Sequence, residues 1–394
     1  MNINHKFLHV AGFLMLSLSV ASQPSLQDFL QSIETHNKTL QAAKEFTQMQ
    51  QLAARTELNP GNPEVEFGYF PGNTDAIGTK QVLGVMQSLE FPTTYVHKYR
   101  MANHQVKFQS LNYQLTRQQL LLSAAETWCQ VVYLNGKRAM VNQRSRQAVQ
   151  LVDFYRKKQA SGDATQLEVN KAQLFAIKMQ NQLRLLQGQV LQVNEQIAHL
   201  NGGTPMLITD SVFTVQDLEP WEDLKQSIDS LHPLIQMTAL SEQMAANQIK
   251  LSRSQALPNL MVGYESETIL SEKFQGIKAG ISIPLWQDKN KIKRSKAQLL
   301  YSQAQKEQAV LGLFTDYHNR YIEAQSLFTN SVALKNSLAS MNNQYLLSRS
   351  LELGQISAIE YFMELDYFYE LLDQLYELEL QYQLSWLRLH EYTL

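Results

Sequence analysis

Apolar residues recur with two different periods along this chain of 394 residues. At Met179, Leu183, Leu186, Val190, Val193, Ile197 and Leu200 the steps alternate between four and three. That is a heptad seam, which buries itself only against a partner helix. The partner close in sequence is the proline-free stretch that begins near Tyr95 and stops at Ala160-Ser161-Gly162-Asp163. The pattern predicts a very long antiparallel hairpin over 95–200, with Gly162 as the left-handed residue at its tip. A helix of this kind is on the order of 100 Å long at ~1.5 Å per residue, far beyond what a globular core needs.

The second period is two. Val65, Phe67 and Tyr69 share one strand face, as do Leu83, Val85, Leu89 and Phe91. Further on, Leu260, Val262 and Tyr264 alternate, and so do Ile277, Ala279, Ile281 and Ile283. Four strands are predicted, at 63–71, 79–92, 258–267 and 274–284, with proline or a Pro-Gly-Asn turn at their ends.

The landmarks repeat. Pro63 to Pro258 is 195 residues, Pro92 to Pro284 is 192 and Gly162 to Gly354 is 192. The order helix, two strands, long hairpin is therefore written twice. A first repeat spans 23–200, with its opening helix over about Ser25 to Glu57. A linker at 201–220 carries Gly202-Gly203-Thr204-Pro205. A second repeat spans 221–394, with a helix over about Trp221 to Gln255 and a hairpin over 288–392 that turns at Gly354. Its seams are Leu334, Leu338, Met341 and Tyr345 before the tip, and Leu371, Leu375, Leu378 and Tyr382 after it.

Residues 1–22 combine Lys6, an apolar run from Phe7 to Ala21 and small residues at Ser19-Val20-Ala21. This reads as a cleavable export signal, and the run is too short to span a membrane. No other stretch holds ~18 consecutive apolar residues. Charged residues make up 18% of the chain and the net charge is −2, so there is no basic stripe for nucleic acid. The single cysteine, Cys129, permits no internal disulfide and reads as a packed thiol. No HExxH, GxSxG or phosphate-loop pattern occurs, so no catalytic residue, cofactor or metal site is assigned. His97 and His104 lie seven apart, but two histidines do not close a metal site. Methionines such as Met86, Met101, Met261 and Met363 read as filler rather than as copper ligands.

Alternating strands of ~9–11 residues on an exported chain point to a membrane β-barrel wall. Four strands cannot close one, because closure takes about eight. Open edges in hydrocarbon leave backbone groups unsatisfied. The barrel must be shared, with two, three or four copies giving eight, twelve or sixteen strands.

The chain resembles the outer membrane efflux protein (TolC) family from about Leu26 to Leu389. The resemblance is carried by the duplicated order, by Leu257-Pro258-Asn259 and Ile281-Ser282-Ile283-Pro284-Leu285, and by the two tips. The tips read Ala160-Ser161-Gly162-Asp163-Ala164-Thr165-Gln166-Leu167-Glu168-Val169 and Leu353-Gly354-Gln355-Ile356-Ser357-Ala358-Ile359-Glu360-Tyr361. The resemblance implies a mainly α chain whose four strands join a trimeric, twelve-stranded outer membrane barrel above a periplasmic helical tunnel. It implies a passive exit duct, not an enzyme, and partners in a periplasmic adaptor, an inner membrane pump of the RND type and outer membrane lipid. Glu360 matches the family's acidic gate position, and Glu168 is its counterpart at the first tip. The family's second acid falls on Met363, with Glu364 next to it. Three copies of Glu360 would ring a narrow mouth with negative charge. A first-turn carboxylate that favours the helix dipole explains Glu168 and Glu360 equally simply. Adaptor contact is expected at Gly162, Asp163, Gly354 and Gln355.

The stretches Asn62-Pro63-Glu64-Val65-Glu66 and Gln87-Ser88-Leu89-Glu90-Phe91-Pro92 are similar to members that serve heavy-metal or cation pumps. Drug or polypeptide export stays open. An adaptor protein of the same machines is the alternative from another class, but it would carry one hairpin and many short strands. A periplasmic enzyme or scaffold with coiled-coil arms leaves the strand pairs unexplained.

Overall fold

The computed structural model describes residues 25–394 except 57, 75, 215 and 342. The export signal expected at 1–22 lies outside the described residues. Helices α1 (Leu26–His36) and α2 (Lys38–Thr56) lead into strands β1 (Glu64–Pro71) and β2 (Thr79–Leu89). Helix α3 (Pro92–Ala160) and α4 (Gln166–Leu200) form the first hairpin. The order then recurs: α5 (Trp221–Leu231), α6 (Pro233–Gln255), β3 (Asn259–Ile269), β4 (Glu272–Ser282), α7 (Lys291–Ala339), α8 (Asn343–Glu352) and α9 (Ala358–Leu389). A 3-10 turn over Glu391–Thr393 closes the chain.

The opening helix of each half is broken where the sequence pattern runs on unbroken. Asn37 is extended, and its side chain accepts from Leu40 N at 3.0 Å and donates to Leu200 O at 2.8 Å. His232 is extended because Pro233 follows it, and its Nδ1 accepts from Leu234 N at 3.1 Å. Before each break the helix buries two apolar residues four apart, Phe29 and Ile33 in α1, Leu224 and Ile228 in α5.

Six other boundaries differ from expectation. The long helix starts at Pro92, not Tyr95, because proline is preorganised for a first helical position. Strand β2 therefore stops at Leu89 instead of 92. Strands β3 and β4 run to Ile269 and from Glu272, nearer their shared two-residue turn than the predicted ends at 267 and 274. The helix expected from 288 to 352 is interrupted after Ala339, and Met341 and Tyr345 are exposed rather than seam residues. The last helix stops at Leu389, short of Tyr392.

The seam in α4 packs as its heptads require. Leu186, Val190, Val193 and Ile197 meet Leu121, Trp128, Val131 and Val141 of α3, with Phe29 and Ile33 filling the same core. A matching core gathers Leu224, Ile228, Tyr317, Tyr382 and Leu389. Near the tips a third core joins α3, α4, α8 and α9 through Tyr155, Ala172, Met179, Leu351, Tyr361, Leu365 and Tyr369. Between the first two cores the linker is strapped to helices. Asn135 Nδ2 donates to Ile208 O at 2.9 Å and Asp210 O at 3.1 Å, and Gln383 Nε2 donates to Thr214 O at 3.2 Å. Gly136 has no side chain because the carbonyl of Ser211 occupies that space.

The strands form one antiparallel sheet in the order β1-β2-β3-β4. Both halves contribute a hairpin, and β2 pairs with β3 across the repeat boundary from Lys80↔Ile269 to Leu89↔Leu260. Strands β1 and β4 are its open edges. No described helix is long and apolar enough to cross a membrane.

Candidate channel wall and hairpin tips

The register sorts the sheet into two unlike faces. Phe67↔Leu83 and Val85↔Tyr264↔Ile277 lie on one face, with Val65, Leu260, Val262, Ala279 and Ile281. Their apolar side chains are largely exposed: Val65 by 69%, Phe67 by 70% and Ile277 by 86%. The other face carries Glu64, Glu66, Glu265, Glu267, Lys80 and Lys278, with ion pairs Lys80–Glu267 at 2.8 Å and Lys278–Glu265 at 2.6 Å. The glycines Gly68, Gly84, Gly263, Gly276 and Gly280 all fall on this polar face. A sheet with one apolar exposed face has the patterning of a barrel wall against lipid.

The apolar band runs obliquely. Its centre on β1 is Phe67, level with Leu83, and its centre on β4 is Ala279, level through Val262 with Gln87. The band thus drops four residues along β2 over three strand steps. That is about 14 Å of fall over about 14 Å of width, so a belt lying flat in a membrane requires strands inclined by about 45°. Membrane barrels tilt their strands by ~35–45°.

At the far end of the molecule, both tips are built alike. Gly162 has φ +85 and Gly354 has φ +68. Each closes its helix with paired backbone bonds, Asp163 N to Lys158 O at 2.8 Å with Gly162 N to Gln159 O at 3.0 Å, and Gln355 N to Ser350 O at 2.8 Å with Gly354 N to Leu351 O at 3.1 Å. These are Schellman closures, which need the left-handed conformation at the glycine. Gly162, Asp163, Gly354 and Gln355 are all exposed. The Asp163 carboxylate accepts from Ser161 Oγ at 2.7 Å.

Glu168 and Glu360 occupy identical local sites. The Glu168 carboxylate accepts from Thr165 N at 2.7 Å, while Glu168 N donates to Thr165 Oγ1 at 3.3 Å. The Glu360 carboxylate accepts from Ser357 N at 2.8 Å, and Glu360 N donates to Ser357 Oγ at 3.2 Å. Both are capping boxes. The backbone N–H of Thr165, then its hydroxyl, holds the Glu168 carboxyl below the ordinary carboxylate value. Ser357 does the same for Glu360, again with the backbone N–H first. The sequence signal was the spacing of hydroxyl and acid, Thr165 to Glu168 and Ser357 to Glu360, which sequence reasoning passed over. Glu364 sits apart from both boxes. It lines an open cleft of about 740 Å³ between α4 and α9, with Lys171, Leu174, Met363 and the Lys178–Asp366 ion pair at 2.7 Å.

Two links above that cleft tie the hairpins together and were invisible in the sequence. Arg144 Nη1 meets Asp373 Oδ1 at 3.0 Å, its guanidinium 4.1 Å from the centre of the Tyr369 ring. Arg388 meets Glu126 at 2.7 Å. Cys129 is buried, and burial pushes its thiol up to about 12, so it is not a reactive group. Among the described residues, no three His, Cys, Asp or Glu gather as metal ligands.

No family model matches the sequence, and no curated protein matches it either. Solved structures do. CusC, described for its folding and transmembrane channel formation, superposes with a TM-score of 0.78 at 15% identity, over 94% of this chain and 92% of its own. The Campylobacter jejuni outer membrane channel CmeC does so with a TM-score of 0.74 at 13% identity, over 100% and 93%. The chain has the outer membrane channel fold. The Vibrio cholerae outer membrane protein VceC shares it, with a TM-score of 0.74 at 14% identity over 93% of this chain and 95% of that one. In this chain the four-stranded sheet lies at one end of the long hairpins, and Gly162 and Gly354 mark the other.

Proposed function

We propose that the chain is the outer membrane exit duct of a tripartite efflux system, a passive channel with no catalytic step. One observation carries this reading: a four-stranded sheet with an exposed apolar face and two unpaired edges, β1 and β4. Such edges are untenable in lipid unless other copies pair with them. Three copies give the twelve-stranded barrel that the resemblance implies, inclined as the apolar band requires. The long hairpins continue it as a periplasmic tunnel. The chain is duplicated, with repeats at 23–200 and 221–394 about the strap at 201–220, and 1–22 directs its export. The correspondence of Phe29, Ile33 and Asn37 with Leu224, Ile228 and His232, each 195 residues on, supports the duplication.

The tips Gly162, Asp163, Gly354 and Gln355 meet a periplasmic adaptor, which joins the duct to an inner membrane pump of the RND type. Glu360 is a helix cap that also supplies charge at the mouth, with Glu364 one turn further along α9 as a second gate candidate, whereas Glu168 serves as a cap. Heavy-metal cations are the inferred cargo, supported by the resemblance of 62–66 and 87–92 and by the carboxylates Glu64 and Glu66 on the polar face of the sheet.

Fractionation tests the duct. The protein should sit in the outer membrane and run on an unheated gel as a species about three times the chain mass. A detergent-free soluble monomer would refute it. Deleting the gene should sensitise cells to metal cations. New sensitivity to drugs with unchanged metal sensitivity would replace the cargo and keep the duct.

A further inference from the structure

We propose that the outer mouth of the barrel carries a luminal apolar collar, made by Phe70, Val82, Ile269 and Phe274 and topped by Leu270, which holds the exit nearly dry at rest. The inference rests on the duct reading above. Its starting point is an inversion of polarity along the sheet. Over the lower two thirds, the polar face carries Glu64, Glu66, Glu265, Lys278, Ser88 and Ser282 among glycines, with Met86 and Met261 as its apolar members. Toward the loops the same face presents Phe70 and Val82, and across from them Ile269 and Phe274.

The opposite face changes in the reverse sense at the same level. Its apolar run gives way to Gln81, Ser266, Thr268, Lys273 and Gln275, with Tyr69 of β1 the one aromatic left at that level. The pairing register stays continuous through this change, so no slip or bulge has exchanged the faces. A wall that rises out of lipid into water needs a polar outside, which accounts for the second change. It gives no reason for apolar side chains inside, where a water-filled bore favours polar ones. Phe70 is 57% exposed and Phe274 64% exposed in the single chain. Three charges share this level; Lys80 and Glu267 neutralise each other at 2.8 Å, and Glu272 stands beside Ile269 at the rim.

The turn above the collar is a second, independent sign. Leu270 and Ser271 form the β3–β4 turn with φ of 49 and 71. Turns of this kind favour asparagine and glycine, and a leucine here strains the backbone. Leu270 stands here against that preference, and its side chain covers Gly78 of the neighbouring loop, where a Cβ would overlap it. The β3–β4 turn is thereby fastened to the β1–β2 loop with an apolar side chain at the rim. A ring of such groups excludes water and ions from a narrow passage until cargo or movement widens it.

The test labels intact cells with a charged, membrane-impermeant maleimide, the buried Cys129 serving as the silent background. Ser88→Cys places a thiol on the luminal face below the collar, and Val262→Cys places one on the lipid face. The expected result is slow labelling of Ser88→Cys alone, rising about tenfold when Phe70→Ser and Phe274→Ser are added. Leu270→Asn, which relieves the turn, should give a rise in the same direction and serves if the serine variants fail to assemble. Equal labelling of Ser88→Cys with the collar intact and opened, whether fast or slow, overturns the collar. Val262→Cys labelling as fast as Ser88→Cys would instead overturn the duct reading beneath it.

Discussion

Glu360 caps its helix, and the proposed function gives the same carboxylate a charge role at the mouth; a pair of substitutions separates the two. Ser357→Ala removes the hydroxyl that accepts from Glu360 N at 3.2 Å and leaves the charge in place. Losing a hydroxyl cap costs about 1 kcal/mol, or roughly fivefold in the local opening equilibrium. Glu360→Gln keeps an oxygen that reaches Ser357 N, as glutamine does in capping boxes, but removes the charge. Hydrogen exchange at the amides of 358–361 reads the cap, and the cation-to-anion permeability ratio in planar bilayers reads the charge. Ser357→Ala should speed exchange about fivefold with unchanged selectivity. Glu360→Gln should leave exchange near the parent value and lower the preference for cations. The pH dependence has a fixed sign. Because Ser357 holds the Glu360 carboxyl below its ordinary value of 4.5, the cap is complete above that pH and is lost as pH falls through the folded-state value. If Glu360→Gln speeds exchange and leaves selectivity untouched, Glu360 is a cap and nothing more, and the charge at the mouth comes from elsewhere.

Three further outcomes are expected. Asp373→Ala strands Arg144, whose side chain is 4% exposed against 26% for Asp373. The loss should be about 2–3 kcal/mol, below that for a fully buried pair because Asp373 is partly wet, and Arg144→Met should restore most of it in thermal unfolding. His232 is buried, and burial lowers it from 6.5 to about 4, so the folded protein holds it neutral. Stability should therefore fall as pH drops from about 6.5 toward 4, and His232→Asn, which retains a capping acceptor, should flatten that slope. Gly136→Ala drives a methyl into Ser211 O and should cost roughly 1–3 kcal/mol, with proteolysis of the 206–218 strap as the more direct readout.

Local periodicity was enough for much of this protein. The heptad steps of Met179 to Leu200 specified a long helix with a partner, and Gly162 and Gly354 marked the tips, because only glycine meets a Schellman closure without strain. Alternation located the four strands, since a period of two separates the faces whatever pairs beside them. Glu168 and Glu360 were legible as first-turn carboxylates, though their pairing with Thr165 and Ser357 three residues earlier was passed over.

Tertiary structure decided what depends on residues far apart in the chain. Asn37 breaks its helix because its side chain finds Leu200, and the strap is held by Asn135, which sits more than seventy residues before Ile208. The β2–β3 pairing joins the halves into one sheet and sets the register from which the oblique apolar band and its inversion toward the loops are read. The sequence alone determined which positions are apolar and at what period, because steric and solvation preferences act within a few residues. Only the folded chain decided which periods meet, since pairing and packing compare surfaces that chain order does not order.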